Sequence, residues 1–469
     1  MEYGFWSIMP PVVAIVLALL YKNVFIALFS GCFLGYLIID QAHLLRAFDD
    51  TLMSFIRVFE DNDNTIVILL VAVLGGLIVL IEEGGGIRGF TEFLTARRSI
   101  VKTRRGANLF TWIVGVLVFT SGTLSTLVTG AVARPLNDAM RVSHEKFAYI
   151  VHSTSTPVCV LIPLSGWGAF MIGLIHAQGI NDGAAILALS IPLNFYCLIT
   201  VFSVLFFAFT GKDFGPMRRA ERRSQETGAL DHPRHGQSAC QTTDVLTSGR
   251  ISSSLNLLIP LLIMVIVIII GLLITGEGNL LAGDGMRSIL WGIVLAVLIA
   301  AGMLLFQQIF TVKEIITIFF KGAGDMISVA AILILAFSMG SMVKMLGTGL
   351  YLGNLFASLL IPGLLPAIIF LLSCLISFST GTSMGTMAVM MPLAMPMAIE
   401  MHFSVALVAA ALFGGAIFGD HSSPISDTTV LSCASTGCDI MDHVRTQLPY
   451  ALVFGGLSFL LYIVAGLLV

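Results

Sequence analysis

Two aspartates and two histidines lie where ionisable side chains are rare. Gly419-Asp420-His421-Ser422-Ser423-Pro424-Ile425-Ser426-Asp427-Thr428-Thr429 interrupts an apolar run over residues 405–435. A carboxylate near the centre of a bilayer costs roughly 2.5–3.5 kcal/mol, so one kept there has work to do. A second interruption, His152-Ser153-Thr154-Ser155-Thr156-Pro157, breaks the run 147–175. Proline withholds a backbone donor and unwinds a helix, while serine and threonine hydroxyls re-satisfy the freed groups. Freed carbonyls, hydroxyls and carboxylates are hard oxygen ligands suited to a small cation. Asp427, flanked by Ser426, Thr428 and Thr429, is read as the leading carboxylate, and Asp420 as support for the broken helix; the bland alternative for each is a helix-capping carboxylate. Ser155, Thr156 and Ser423 add oxygens, and His152 and His421 are read as proton relays, an imidazole titrating near neutral pH.

Two further motifs resemble each other. Phe119-Thr120-Ser121-Gly122-Thr123 and Phe378-Ser379-Thr380-Gly381-Thr382 lie 259 residues apart, each followed by an apolar stretch ending in Pro-Leu. Gly76, Gly85 and Gly89 match Gly340, Gly349 and Gly353 at a separation of 264, and Pro157 matches Pro424 at 267. Three ordered matches at nearly constant offset describe an internal repeat.

Membrane helices must position these residues. Hydrophobic types make up 57% of the 469 residues and charged types 11%, with a mean hydropathy of +0.98. A soluble domain carries about 25% charged residues, so a water-facing globule, a disordered chain and a disulfide-stapled module are excluded. The net charge of −3 gives no nucleic-acid footprint, and the seven cysteines contain no Cys-x-x-Cys pair. No cleavable signal peptide is expected, because the first apolar run lacks a basic start. Twelve apolar segments fall six and six about a polar stretch, residues 211–254, read as a flexible cytoplasmic linker. Placing the basic loops inside makes residues 109–136 return to the side they started from. That segment has 28 residues, too many for one span and too few for two, which predicts a re-entrant hairpin. The resulting topology puts 20 of the 24 lysines and arginines on the cytoplasmic face.

The expected fold is an all-α polytopic membrane protein of about 10 transmembrane helices plus two re-entrant helical hairpins. Residues 1–210 form the first repeat, with a cytoplasmic-side hairpin at 109–136; residues 255–469 form the second, with an outer-side hairpin at about 364–399. Five crossings per half make the second inverted relative to the first, the plan of secondary transporters. Glu82 and Glu83 are read as a solvated interfacial pair, and Met384 to Met397 as hairpin packing.

The run from Gly419 to Thr429 resembles the signature of the NhaC family of bacterial Na+/H+ antiporters, within the ion transporter superfamily. The resemblance extends over segment count, paired hairpins and broken crossings. It implies a secondary transporter working by alternating access with an elevator-like movement, in the bacterial cytoplasmic (inner) membrane, as a homodimer. It also implies Na+ bound between the hairpin tips and the next broken helix, here Ser121, Thr123, Thr382 and Asp427. Ser121-Gly122-Thr123 and Thr380-Gly381-Thr382 stand where the superfamily carries Ser-Asn-Thr, with glycine replacing asparagine in both. No cofactor is implied beyond transported Na+ and H+, and no enzymatic activity. Relatives of the family exchange malate and lactate or carry amino acids, so a Na+- or H+-coupled carrier of a small organic acid or amino acid is the alternative. A channel, receptor or enzyme fits the repeats and hairpins less well.

Overall fold

A computed structural model describes residues 3–21, 23–86, 88–90, 103–119, 121–163, 165–180, 182–232, 253–278, 284–348, 351 and 362–468. The core of the basic loop before the first hairpin motif, residues 233–252 of the expected linker, Lys22, Thr120, Gly349 and Gly353 lie outside them. All regular structure in the described residues is helical. Among the described residues eight helices are long and apolar enough to cross a membrane, and a bent pair, 144–161 with 166–176, makes up to nine. The helix Val24–Ile39 is apolar but shorter. This is a multi-pass membrane protein.

The first half runs α1 (Met9–Tyr21), α2 (Val24–Ile39), α3 (Leu44–Arg57), α4 (Asn62–Glu83), α5 (Arg104–Leu117), α6 (Gly122–Ala139), α7 (His144–Ser153), α8 (Thr156–Leu161), α9 (Gly166–His176), α10 (Gly183–Ser190) and α11 (Phe195–Thr210). A polar helix, α12 (Gly215–Thr227), follows. The second half runs α13 (Leu255–Thr275), α14 (Gly285–Phe306), α15 (Val312–Asp325), α16 (Ile327–Met345), α17 (Leu365–Thr380), α18 (Ser383–Glu400), α19 (Val405–Ser422), α20 (Asp427–Thr436) and α21 (Ile440–Leu468).

The element order of one half recurs in the other. Two apolar helices are followed by a short amphipathic one, a third apolar helix, two paired arms and a broken helix. The amphipathic helices α3 and α15 were not anticipated; the sequence placed only a loop between residues 40 and 63. On α3, Ala47, Thr51 and Ser54 face inward while Leu44, Leu45, Phe48, Leu52 and Ile56 are exposed. That division suits a helix lying in the membrane interface. On α15, Gly322 meets Gly75 of α4 at backbone contact, and Phe319 covers Gly76. Lys321 reaches Glu83 at 3.0 Å, so this carboxylate is ion-paired rather than merely solvated.

The arms α5 and α6 lie antiparallel: Ser125 Oγ donates to the Gly115 carbonyl (3.3 Å), and Asn137 Nδ2 to Thr111 Oγ1 (2.8 Å). Helices of 14 and 18 residues are about 21 and 27 Å long. Neither arm qualifies as a crossing by length and hydropathy, nor does α18; α17 is apolar but short. In α18, Met387, Met390, Met391 and Met395 are fully buried as packing residues, and Met384 is half-buried against the same core.

The reading of residues 211–254 as a flexible linker needs correction over its first half. Here α12 is docked by charge. Arg104 pairs with Glu221 at 2.7 Å and Arg223 with Glu145 at 2.8 Å. The Ser143 amide and hydroxyl both donate to Glu221 (2.9 Å each). Behind these, the fully buried Lys146 ammonium contacts Asp213 at 2.5 Å, and Tyr450 donates to the same carboxylate at 3.0 Å. Composition marked this segment as polar; the partners that order it are spread over α5, α7 and α21.

Candidate ion-binding site

The site lies where the two broken helices meet. Residues Thr154 and Ser155 separate α7 from α8, and Pro157 in the first turn of α8 has no amide to continue the helix. Ser155 Oγ donates to the freed His152 carbonyl (2.7 Å). In the second half, residues 423–426 separate α19 from α20, with Pro424 in the gap. Thr429 Oγ1 donates to the Ser423 carbonyl at 2.8 Å.

Asp420 is almost wholly buried beside this gap. Ser426 Oγ donates to its Oδ1 (2.7 Å) and Thr428 Oγ1 to its Oδ2 (3.0 Å), while the Ser383 hydroxyl, at the start of α18, faces the same carboxylate. Ser426 stands at the N-cap of α20, yet its hydroxyl makes no capping bond; it is turned onto Asp420 and Thr428 instead. Asp427 holds the first turn of α20, accepting from the Thr428 amide (2.8 Å), and is exposed. A carboxylate there is favoured by the helix dipole. Enclosure therefore does not follow the expected order. Asp420 is the enclosed carboxylate and Asp427 the one that caps a helix.

The histidines join the halves. His152 Nε2 lies 3.1 Å from Thr428 Oγ1, and its Nδ1 lies 3.0 Å from His443 Nε2 and 3.2 Å from Gln447 Nε2. His421 Nε2 contacts Ser153 Oγ and its Nδ1 the Tyr196 hydroxyl, both at 2.9 Å. Gln447 also donates to the His421 carbonyl. The rings of His152 and His421 stand edge to face, 4.5 Å between centroids. All three histidines and Gln447 are buried.

Each tip packs on the broken helix of its own half. A Cβ on Gly122 would meet Thr156 Oγ1 at 3.0 Å, and one on Gly381 would meet Ile425 at 2.9–3.1 Å. Gly381 adopts φ +69°, a left-handed conformation that ends α17. Thr380 donates to its own helix at the Ile376 carbonyl, and Thr382 accepts from the Gly385 amide. Ser121 begins α6 without a side-chain cap, Thr123 is exposed, and neither bonds to the Asp420 cluster. The structure thus unites Asp420, Ser426, Thr428, Ser383 and His152, with His421 alongside; it leaves Ser121, Thr123 and Asp427 at its margin.

Sequence reasoning missed His443, Gln447, Tyr196 and Ser383. His443 and Gln447 stand one turn apart at the start of an apolar helix, a spacing that signals a shared face. Their partners lie about 290 residues away, beyond any local pattern. No group of three or more His, Cys, Asp or Glu side chains among the described residues is placed to hold a metal ion.

Residues 158–467, which contain the gap of the second broken helix but not that of the first, match the family model described as the Na+/H+ antiporter family. The chain belongs to the Na+/H+ antiporter family. A Haemophilus influenzae protein without an assigned function is 32% identical to this antiporter-family chain over 98% of its length and 91% of the relative's. Shorter matches join it to the arginine/ornithine antiporter ArcD of Halobacterium salinarum (42% over 62 residues) and a malate-2H+/Na+-lactate antiporter of Bacillus subtilis (40% over 60 residues). Each of those covers only 13% of either protein. Among solved structures, the YdaH transporter of Alcanivorax borkumensis aligns with a TM-score of 0.57 at 15% identity, over 90% of this chain and 88% of that one. MtrF of Neisseria gonorrhoeae aligns at 0.55 and 15%, over 91% and 85%. At that identity the likeness is one of fold. The antiporter family, the membrane helices and the transporter fold make this chain a secondary transporter.

Proposed function

We propose that this transporter exchanges Na+ for H+ across a bacterial cytoplasmic membrane by alternating access with an elevator-like movement. In this reading α5–α6 enters from the cytoplasmic side, α17–α18 from the outer side, and α12 is cytoplasmic. The two halves are inverted repeats, and the working unit is a homodimer. The observation that carries the proposal is the setting of Asp420. Its oxygens are held by hydroxyls, and no lysine or arginine among the described residues is bonded to it. A carboxylate enclosed in this way is stable only when neutralised, by a proton or by a small cation. One group that accepts either but not both couples their movements: loading Na+ on one side expels the proton, and protonation on the other expels Na+. The Ser383, Ser426 and Thr428 hydroxyls supply oxygens that replace water around the ion.

A second reading, Na+- or H+-coupled exchange of a small organic acid or amino acid, draws support from the arginine/ornithine and malate/lactate antiporters among the relatives. An anionic substrate would call for a cation beside the site. The buried Lys146 is bound to Asp213, and Lys344 is exposed beside Gly179. Purified protein in proteoliposomes decides between the readings. Na+ added outside vesicles of acid interior should release protons without any organic solute. Release that requires malate, lactate or arginine would establish the second reading.

A further inference from the structure

We propose that His443 receives the proton destined for Asp420, and that Gln447 is the positioning residue that sets the direction in which the histidines pass it. The inference rests on the exchange reading above and adds the route the proton takes. Its starting point is the one group in the cluster whose hydrogen-bonding role is fixed: the His421 carbonyl can only accept. Gln447 must therefore present its amide nitrogen to it. The second hydrogen on that nitrogen is directed at His152 Nδ1, 3.2 Å away. Nδ1 must then be the acceptor of the neutral ring, and the hydrogen of His152 sits on Nε2.

The remaining assignments follow in order. His152 Nε2–H donates to Thr428 Oγ1 (3.1 Å), and the Thr428 hydroxyl donates to Asp420 Oδ2 (3.0 Å). His443 Nε2, 3.0 Å from the accepting Nδ1 of His152, must be a donor. That leaves His443 Nδ1 as a bare basic nitrogen. It is buried and has no hydrogen-bond partner among the described residues. Every bond in the chain points toward the carboxylate, and its open end is an acceptor.

A proton bound at His443 Nδ1 releases the Nε2 proton to His152 Nδ1. His152 releases its own Nε2 proton to Thr428 Oγ1, and the Thr428 hydroxyl proton passes to Asp420. One proton enters, one arrives, and no intervening group keeps a charge. After transfer, Gln447 faces an N–H on His152 instead of a lone pair, so the contact opposes the transferred polarity and favours return of both histidines to the starting tautomer before the next proton. The entry lies near the start of α21, where Gly437, just before the helix, packs against Arg134 of α6.

The full chain in proteoliposomes tests this with two fluxes. Exchange of 22Na+ for Na+ at equal pH on both sides needs no proton; Na+-driven proton release does. His443→Gln keeps a donor toward His152 but cannot relay, so it should hold Na+/Na+ exchange within about twofold and lower Na+/H+ exchange about a hundredfold. Gln447→Leu frees His152 to adopt either tautomer and should lower Na+/H+ exchange about tenfold, again with Na+/Na+ exchange retained. Equal loss of both fluxes would make these residues structural and overturn the inference, as would loss of neither. If His443→Gln does not insert, the same comparison on Gln447→Leu decides. Wild-type protein is measured first: without Na+-driven proton release the exchange reading itself falls, an outcome separate from failure of the route.

Discussion

Replacing Asp420 by asparagine is the most informative single change, because it removes charge and proton binding while nearly keeping shape. Ser426 and Thr428 donate to the two carboxylate oxygens at 2.7 and 3.0 Å. In Asp420→Asn one oxygen becomes an NH2 group, which confronts one of these hydroxyls with a donor. The conflict has a local solution. Thr428 Oγ1 accepts from the new amide and turns its own hydrogen to Ser426 Oγ, 2.8 Å away. Ser426 continues to donate to the remaining oxygen. No buried group is orphaned, so the fold should survive at a cost of about 1–2 kcal/mol, the difference between charge-assisted and neutral hydrogen bonds. Ion binding has no such escape. Losing the full charge removes a contact worth about 1.5–3 kcal/mol, which weakens apparent Na+ affinity roughly tenfold to a hundredfold. Coupling should vanish, since an amide does not take up the proton. The assay is pH-dependent 22Na+ uptake into vesicles, with thermal unfolding in detergent as the control for folding. Asp427→Asn, altering an exposed carboxylate that caps its own helix, should retain coupled exchange with a modest loss. Normal exchange by Asp420→Asn, with coupling lost only in Asp427→Asn, would refute the assignment and restore Asp427 as the exchanging group.

Three other changes probe separate links of the argument. Gly381→Ala forces a left-handed φ of +69° on a residue with a Cβ and presses that atom onto Ile425, so unfolding should move by more than the ~1–2 kcal/mol of backbone strain alone. Gly211→Ala, at φ +68° with open space around it, should cost only the strain; equal shifts in the two would mean the tip does not press on the break. Asp213→Asn strands the buried Lys146 ammonium and should destabilise by about 3–5 kcal/mol, whereas Asp213→Leu with Lys146→Met should recover most of it. A thermal shift that is no smaller in the double variant would contradict this account of the pair. Cysteines introduced at the exposed Arg222 and Arg46 should be labelled by impermeant reagents from opposite faces, Arg222 from the cytoplasm; labelling from one face would remove the proposed topology.

Much of the fold could be read without coordinates because the bilayer imposes one rule on every segment. A crossing helix must be apolar over about 20 residues, and its breaks must carry groups that satisfy a freed backbone. Pro157 and Pro424 therefore marked the two gaps, and Gly381 marked the tip that ends α17, where the left-handed turn favours glycine. Helices packed against polar partners escaped that rule. The helix α12 looks like linker because Glu221, Arg223 and Ser224 are polar, and only Arg104, Ser143, Glu145 and Arg141 turn that polarity into docking. The amphipathic α3 was hidden in a loop for a similar reason, its apolar residues being too interleaved with polar ones to register as a span.

The site divides along the same line. Sequence by itself identified the broken helices, the two aspartates in one of them, and His152 and His421, since intramembrane charge and Pro-Ser-Thr clusters stand out against an apolar background. Which aspartate is enclosed depends on how the chain turns across the four-residue gap between α19 and α20. Asp420 ends up under the hydroxyls of Ser426, Thr428 and Ser383, whereas Asp427 opens a new helix and turns outward. His443 and Gln447 gained their meaning only when α21 folded against α7, bringing together groups about 290 residues apart. A hydrogen bond is directional and short, so its partners are set by where helices pack, and helix packing is a property of the whole chain.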